Sequence, residues 1–234
     1  MKIKIIDTET ASLSGPILEV ATTEIDSKGS CIGFNEDLVR PPDGTIISWE
    51  AMAVHQIRPH MLEDKPYYGE IQDKYNDADI YIAHNKGFDQ KMLEKEDKTF
   101  EGKRWLCTLA LARLAYPEAS SHKLSVLFEY LELWKGFDYH GRAHTALYDC
   151  QMTHALLLHI MKTLEVDDIE DLFTIKPKVG TMKCTFGKHR GKTWEWILEM
   201  DKSYCRWVTV NALKKGNEQV VREWLEAKLL AGRV

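Results

Sequence analysis

Five side chains that can bind a metal ion or carry a proton lie in three widely separated segments of this 234-residue chain. Carboxylates gathered at one point repel each other unless cations lie between them, and hard divalent cations choose oxygen ligands. A fold that brings the segments together would therefore build a metal site, and two metals about 3.5–4 Å apart are the usual equipment for cutting phosphodiesters. A histidine adds a base that titrates near neutral pH. The five residues are Asp7, Glu9, Asp89, His144 and Asp149.

Asp7 and Glu9 directly follow a largely apolar run, residues 2–6. The run predicts a buried strand with Asp7 at its carboxyl end, and the period of two puts both acids on one face. Carboxyl ends of sheet strands are where α/β proteins build sites. The acid-x-acid spacing alone is weak because it recurs elsewhere in the chain, and a surface turn is the alternative interpretation.

The other three residues lie where helices are predicted. Asp89 would occupy the first turn of a helix, where the dipole and free N–H groups stabilise an acid, so simple capping is a competing interpretation. Asp149 lies in a largely apolar stretch, where a solitary carboxylate is costly unless a cation meets it. His144 would lie near the start of that helix, where the dipole disfavours its protonated form and leaves it ready to act as a base. A purely structural histidine is the alternative.

Strand-like and helix-like patterns alternate along the first two thirds of the chain and predict an α/β domain with a mixed β-sheet flanked by helices. Ser48 is a candidate N-cap of the first helix. The predicted strands are residues 2–6, 17–21, 31–39 and 78–83, and the predicted helices are residues 48–57, 86–95, 107–116, 123–133 and 144–164.

The charge is divided unevenly along the chain. Residues 1–175 carry 18 Lys and Arg against 30 Asp and Glu, whereas residues 176–234 carry 13 against 6. We predict a larger domain at 1–172, a linker at 173–181 and a small basic module at 182–234, a hairpin followed by helices. A basic module joined to an acidic domain suggests a polyanionic partner. A solvated, lysine-rich helical surface is the alternative.

A basic turn in this module superficially resembles a phosphate-binding P-loop. That motif needs four residues between its glycines, whereas only three separate Gly187 from Gly191. Basic residues interleaved with aromatic ones suit single-stranded nucleic acid, so Phe186, Trp194 and Trp196 are candidates for stacking on bases. The alternative is that the tryptophans form the core of the module. The cations expected to contact nucleic acid are Lys188, Arg190 and Lys192.

Composition excludes several classes of protein. The chain is 44% hydrophobic and 29% charged, as in ordinary soluble domains. No apolar run approaches the roughly 20 residues that span a bilayer, so no membrane partner is expected. The five cysteines are never closer than 21 residues apart, which predicts reduced thiols and a cytoplasmic location rather than a zinc ribbon or a redox pair.

The ordered set of motifs resembles the DEDDh superfamily of 3′–5′ exonucleases over about residues 1–165. The set is Asp-x-Glu after the first strand, Asp on a mid-chain helix and His-x4-Asp on a late helix. Flanking sequence extends the likeness: Ile5–Thr10, Leu38–Pro41, Ala53–Ile57, Ala83–Asn85 and Cys107–Thr108. Ser12 departs from the pattern, since it replaces a glycine usual at that loop and leaves the loop's geometry open. The resemblance implies a ribonuclease H-like fold.

The resemblance also implies the chemistry. Two Mg²⁺ or Mn²⁺ ions are expected per active site, one held by Asp7, Glu9 and Asp149 and a second by Asp7 with Asp89. His144 is expected to act as general base, with release of nucleoside 5′-monophosphates from 3′ ends. The residues expected around the terminal nucleotide are Thr8, Thr10, Leu13, His55, Asn85 and Phe88.

Within the superfamily, the chain is most similar to bacterial DNA exonucleases that carry a small C-terminal module. The resemblance therefore implies DNA as the partner, single- or double-stranded, and a role in repair or recombination alongside repair proteins. The oligomeric state stays open. An exoribonuclease is the first alternative, because the same metal site cuts either polymer. A non-catalytic binding module on a degenerate nuclease fold is the second, although all five catalytic positions are filled.

Overall fold

A computed structural model describes residues 1–135, 145–175, 179–213 and 217–231, and the side chains of all of these except 217–220 and 231. His144 therefore lies outside the described residues. The chain forms two compact units, Met1–Thr174 and Ile175–Val234. Among the helices described, none is long and apolar enough to cross a membrane.

The first unit is built on a five-stranded mixed sheet, in the order β3-β2-β1-β4-β5. The first three strands form an antiparallel meander, and β4 and β5 continue the sheet in parallel with β1. The predicted fold class is confirmed. The strands are β1 (Ile3–Thr10), β2 (Ile17–Ile25), β3 (Cys31–Leu38), β4 (Ile80–Ala83) and β5 (Arg104–Cys107).

Helices surround this sheet and make up most of the second unit. Ser48 caps the first helix as predicted, since its hydroxyl accepts the Ala51 N–H at 3.1 Å. The helices are α1 (Trp49–His55), α2 (Tyr68–Ile71), α3 (Gly87–Glu96), α4 (Thr108–Ala115), α5 (Leu124–Tyr130), α6 (Ala146–Leu164), α7 (Trp194–Met200), α8 (Lys202–Asn211) and α9 (Asn217–Ala231). Short 3-10 helices lie at Pro59–Met61, Gln72–Lys74, Lys98–Phe100, Ile169–Phe173, Val179–Thr181 and Gly187–His189.

The long helix α6 lies across β1 and β2 and covers one face of the sheet. Twelve of its side chains are buried, because its apolar residues continue around most of the helix. Cys150 is one of the α6 residues that contact the sheet, and its thiol lies 3.7 and 3.3 Å from the carbonyl oxygens of Ile5 and Ala21. Met92 and Leu93 of α3 pack with Ile6 in a separate core cluster. The packing thus fixes the position of α6 and α3, which carry Asp149 and Asp89, relative to β1.

The first strand differs from its predicted bounds. It continues through Thr10 instead of ending at residue 6, so Asp7 and Glu9 lie within β1 rather than after it. The extension is possible because β2 pairs with β1 as far as Thr10, whereas pairing with β4 ends at Ile5. The carboxyl half of β1 is therefore open along one edge. The prediction also missed β5, a strand of four residues.

The second unit has its own core, centred on Trp194, Ile197, Cys205 and Val208. An antiparallel bridge between Lys183 and Thr193 closes the loop of residues 184–192, called here the basic loop. The N–H groups of Cys184 and Trp194 also donate to the carbonyls of Lys192 and Met182, at 2.8 and 2.9 Å. The predicted hairpin is therefore short, and α7, α8 and α9 follow it.

Candidate active site

Three carboxylates from two elements meet at the sheet surface. Asp7 and Glu9 lie two residues apart on β1, and Asp149 lies in the first turn of α6. Each offers an oxygen, and these oxygens all lie within 4.8 Å of one another. The period of two along β1 puts Asp7 and Glu9 on one face of the sheet, and α6, which crosses β1, brings Asp149 to the same point.

The beginning of α6 is fixed by side chains outside the helix proper. The Thr145 hydroxyl caps it by accepting the Tyr148 N–H at 3.4 Å. The Glu19 carboxylate on β2 accepts the Ala146 N–H at 2.9 Å. Since the first N–H groups of a helix have no partners within it, these contacts satisfy two of them and hold Asp149 in place.

Glu19 was missed by the sequence analysis. It is 5% exposed and lies directly opposite Glu9 in the β1–β2 ladder. A single acid inside the apolar run Ile17–Ala21 was the available signal, since a buried charge needs a partner.

Asp89 joins the site from α3 through a contact with β1. Its Oδ1 accepts the Thr8 backbone N–H at 3.0 Å and the Thr8 hydroxyl at 2.9 Å. The carboxylate is 3% exposed. Capping of its own helix therefore does not account for all the contacts of this side chain, because it is also bound to the open edge of the first strand.

The clustered acids hold their protons unusually tightly. Burial raises the pKa of Asp7 well above the ordinary carboxyl range, and the neighbouring carboxylates raise it further. Burial, followed by the charge of Asp149, raises the pKa of Glu9 to about 8. Burial raises the pKa of Asp89 to about 7, although its hydrogen bonds from Thr8 act in the opposite direction.

These residues fit a hard divalent cation. All donors are carboxylate oxygens, and three of them converge within ligand-sharing distance. Their raised pKa values show that the protein alone does not compensate the charge, which a cation would do. Asp7, Glu9 and Asp149 could hold one ion, with Asp89 beside them.

The six residues expected around a terminal nucleotide differ in accessibility. Leu13 is 87% exposed, and Asn85 is exposed with a left-handed backbone, whereas Phe88 is partly buried against the core. The other three are buried: Thr8, Thr10, whose hydroxyl donates to the Ser12 carbonyl at 2.7 Å, and His55, whose Nδ1 accepts the Ile57 N–H at 2.9 Å. Their contact with substrate stays a prediction. A cleft beside Asp149 is lined by Leu124, Phe128, Tyr148 and Met152.

Ser12 needs no glycine-like backbone. It lacks the positive φ at which glycine is favoured. The close approach in this loop falls on Gly15 instead, where an added Cβ would lie 2.8 Å from the Ser12 nitrogen.

His84, the histidine beside Asn85 in sequence, is not suited to act as a general base. That ring bonds the Thr108 hydroxyl at 3.0 Å and the His122 carbonyl at 2.9 Å. Burial lowers the pKa of His84 to about 4. His84 is therefore held as a structural group, and His144, which is not among the described residues, stays the predicted base.

The three cations of the basic loop are exposed, but they are not equivalent. Lys188 forms an ion pair with Asp201 at 2.7 Å. Lys192 lies over the Trp196 ring at 5.1 Å. Of the expected stacking residues, Trp194 is 2% exposed and belongs to the core, with Phe186 packed against it. Burial rules out base stacking on Trp194, whereas Trp196 remains accessible.

Comparison with known proteins agrees with this architecture. A protein-family model described as Exonuclease matches residues 5–157. Exodeoxyribonuclease 10 of Escherichia coli (strain K12) is 36% identical over 211 residues, which cover 89% of this chain and 91% of that protein. Because the aligned share exceeds the first unit, this similarity extends into residues 175–234.

Solved structures show the same fold. Exonuclease X in complex with 5′ overhanging duplex DNA has a TM-score of 0.62 and 34% identity, covering 73% of this chain and 98% of that chain. A 3′-exonuclease described in 3′-end specific recognition of histone mRNA stem-loop has a TM-score of 0.55 and 18% identity, covering 69% of this chain and 81% of that chain. At that identity the second match speaks for the fold alone.

Proposed function

This chain belongs to the exonuclease family, as a 3′–5′ exonuclease of the DEDDh type that acts on nucleic acid, and on that basis we propose that its substrate is DNA. It would hydrolyse DNA from the 3′ end to nucleoside 5′-monophosphates, in DNA repair or recombination. The observation that carries the choice of DNA is the 36% identity to an exodeoxyribonuclease that spans both units of the chain.

The proposed chemistry assigns each acid a task. Divalent cations, which this family uses, would neutralise charge that develops on the phosphate and promote ionisation of water when bound. Asp7, Glu9 and Asp149 would hold the first ion, since their oxygens converge within 4.8 Å. Asp7 and Asp89 would hold the second, with Asp89 positioned by Thr8. We propose Mg²⁺ or Mn²⁺ because all donors are oxygens.

His144 completes the proposed mechanism as the general base. It would take the proton of the attacking water, a role that suits a histidine near the positive end of α6. The accessible and the buried residues among the expected substrate contacts would contribute differently. The exposed Leu13 and Asn85 would lie along the terminal nucleotide. Thr8 and Thr10 would contact the nucleotide through the backbone of β1. His55 and Phe88 would pack behind that backbone and support it.

A digestion of matched oligonucleotides tests the proposal. DNA and RNA strands of one sequence, labelled at the 5′ end, would be incubated with the protein and Mg²⁺ or Mn²⁺. We expect stepwise shortening of DNA from the 3′ end and a much slower reaction on RNA. Asp149→Ala is the matched control, because it removes one proposed ligand from the acidic cluster (Asp7, Glu9, Asp89 and Asp149) and should leave the DNA intact. Faster digestion of RNA would overturn the choice of DNA, and undiminished activity of the Asp149 variant would overturn the assigned site.

A further inference from the structure

The second unit presents a row of rings on its surface. Trp196, His189, Tyr204 and Trp207 follow one another with centroid separations of 5.8, 4.8 and 6.0 Å. Trp196 is 39% exposed and Trp207 is 54% exposed, whereas Tyr204 between them is 8% exposed. Two accessible indoles thus lie at the ends of a row whose middle is packed. Tryptophan is enriched at binding interfaces, because its ring offers a large apolar face.

The loop beside these rings is held rigidly by one acid. Asp201 accepts from the Tyr204 N–H at 2.9 Å and the Ser203 hydroxyl at 2.6 Å, which caps α8. The same carboxylate pairs with His189 Nε2 at 2.9 Å and with Lys188 Nζ at 2.7 Å. These contacts hold the pKa of Asp201 far below its usual range. These contacts therefore hold the basic loop against the row of rings in the absence of a ligand.

Two cations of the loop remain available. Among the residues that the structure describes, no carboxylate pairs with Arg190 or Lys192, and both side chains are exposed. Lys192 lies over the face of Trp196, with its Nζ 5.1 Å from the ring centroid. The structure thus separates a positioning lysine, Lys188, from two cations free to meet phosphates.

The net charge of the second unit and the exposure of its rings together indicate which kind of ligand this surface binds. Residues 175–234 carry a net charge of +7, from 13 basic and 6 acidic residues, so an anionic partner is favoured. Exposed rings bind unpaired bases by stacking, and basic side chains beside them follow the backbone, a combination typical of single-strand binding. A duplex hides its base faces and would leave the indoles without a partner.

We propose that Trp196, Trp207, Arg190 and Lys192 form a binding surface for single-stranded DNA, called here the aromatic–basic surface. The two indoles stack on bases, and the two cations bind phosphates. Lys188 and Asp201 position the loop. This inference rests on the proposed function only in the choice of DNA as the polymer, because the surface lies in a different unit from the acidic cluster.

Binding of a fluorescent oligothymidylate to the full-length protein in EDTA tests the surface without cleavage. We expect Trp196→Ala and Trp207→Ala each to weaken affinity by about tenfold, while Trp207→Phe keeps a stacking ring and most of the affinity. Arg190→Gln with Lys192→Gln should reduce the slope of log affinity against log salt by about 1.4. Arg222→Gln with Lys228→Gln removes the same charge from α9 and should leave the slope near that of the unchanged protein.

Two further measurements distinguish a failure of the proposed function from a failure of the aromatic–basic surface. The 5′-p-nitrophenyl ester of thymidine monophosphate carries a single nucleotide, so all these variants should hydrolyse it at the rate of the unchanged protein. No hydrolysis by the unchanged protein would count against the proposed function and leave the binding result standing. Unchanged binding by the alanine variants would overturn the aromatic–basic surface. The proposal would also be overturned if duplex DNA bound as tightly as the single strand and if only the cation variants lowered the affinity for the duplex.

Discussion

The Asp89 carboxylate accepts hydrogen bonds from both the backbone N–H and the hydroxyl of Thr8, at 3.0 and 2.9 Å. The contact joins α3 to the open edge of β1 across 81 residues of sequence. One oxygen of Asp89 is thereby fixed, and the charge of its carboxylate helps to raise the pKa of Asp7. An acid held in this way is preorganised for the ligand role proposed above, unlike a flexible surface group.

Removing the Thr8 hydroxyl should loosen Asp89 without changing the shape of β1. Thr8→Val keeps the backbone N–H and loses one of the two donors, so we expect metal affinity and the hydrolysis rate to fall about 10- to 100-fold. Titration calorimetry with Mn²⁺ and a steady-state assay measure the two effects. Thr8→Ser restores a hydroxyl and should recover most of both.

Thr22 on β2 supplies a matched control for that change. It is fully buried, and within the described part of the chain its hydroxyl has no hydrogen-bond partner. Thr22→Val should therefore leave activity unchanged and keep or slightly raise stability, because an unpaired buried hydroxyl is costly. Equal losses for the two valine variants would contradict the positioning role of Thr8.

Asp7→Asn should separate function from stability. It removes a ligand shared by both proposed ions, so activity should fall by more than about 10²-fold. It also removes a crowded acid whose pKa is raised by burial and by neighbouring charges. In EDTA at about pH 8 the variant should therefore melt at a higher temperature than the unchanged protein. Thermal melts with and without metal check this, and a lower melting temperature in EDTA would argue against electrostatic crowding.

Stabilisation by metal should grow as the pH rises. With pKa values raised to about 8 for Glu9 and about 7 for Asp89, the folded metal-free protein keeps protons that the unfolded chain releases above about pH 4. The contribution of these groups to stability is thus complete below about pH 4 and is lost as the pH rises to about 8. Metal ions replace those protons, so the rise in melting temperature on adding Mg²⁺ should be larger at about pH 8 than at about pH 6. A difference independent of pH would contradict the raised pKa values.

His144→Ala should lower kcat by about 10²- to 10⁴-fold while leaving metal affinity unchanged, as expected for loss of a general base. Single-turnover rates and Mn²⁺ titration measure the two quantities. His159→Gln is a control on the same region of sequence, since His159 bonds the Tyr116 hydroxyl at 2.6 Å rather than an acid of the cluster. Full activity of the His144 variant would remove it from the mechanism.

Gly187→Ala should destabilise the second unit more than Gly191→Ala does. Both glycines have positive φ, so both substitutions carry backbone strain. At Gly187 an added Cβ would also lie 2.3 Å from the Tyr204 hydroxyl, whereas nothing lies within 4 Å at Gly191. We expect the first variant to lose at least about 1–3 kcal/mol beyond the second, as for other overpacked sites. Urea unfolding monitored by tryptophan fluorescence compares them.

The local sequence pattern was sufficient to predict much of this protein's secondary structure and the chemical type of its site. The apolar run before Asp7 predicted a buried strand, and helical spacing predicted α6, because strand and helix periodicity are written in neighbouring residues. The types and order of the acids predicted oxygen ligands for a divalent ion. The same local reading misjudged where β1 ends, because that depends on how far β2 pairs with it.

Contacts between distant segments decided the rest. Only the fold shows that Asp89 is bound by Thr8, that Glu19 holds the first turn of α6, and that Asp201 engages Lys188. The same holds for Trp194 and Trp196, which are two residues apart and yet differ completely in burial. Residue order could name the chemical groups that this chain carries, because identity and periodicity are local properties. Their partners and exposure follow from packing across many residues of sequence, which the tertiary structure alone determines.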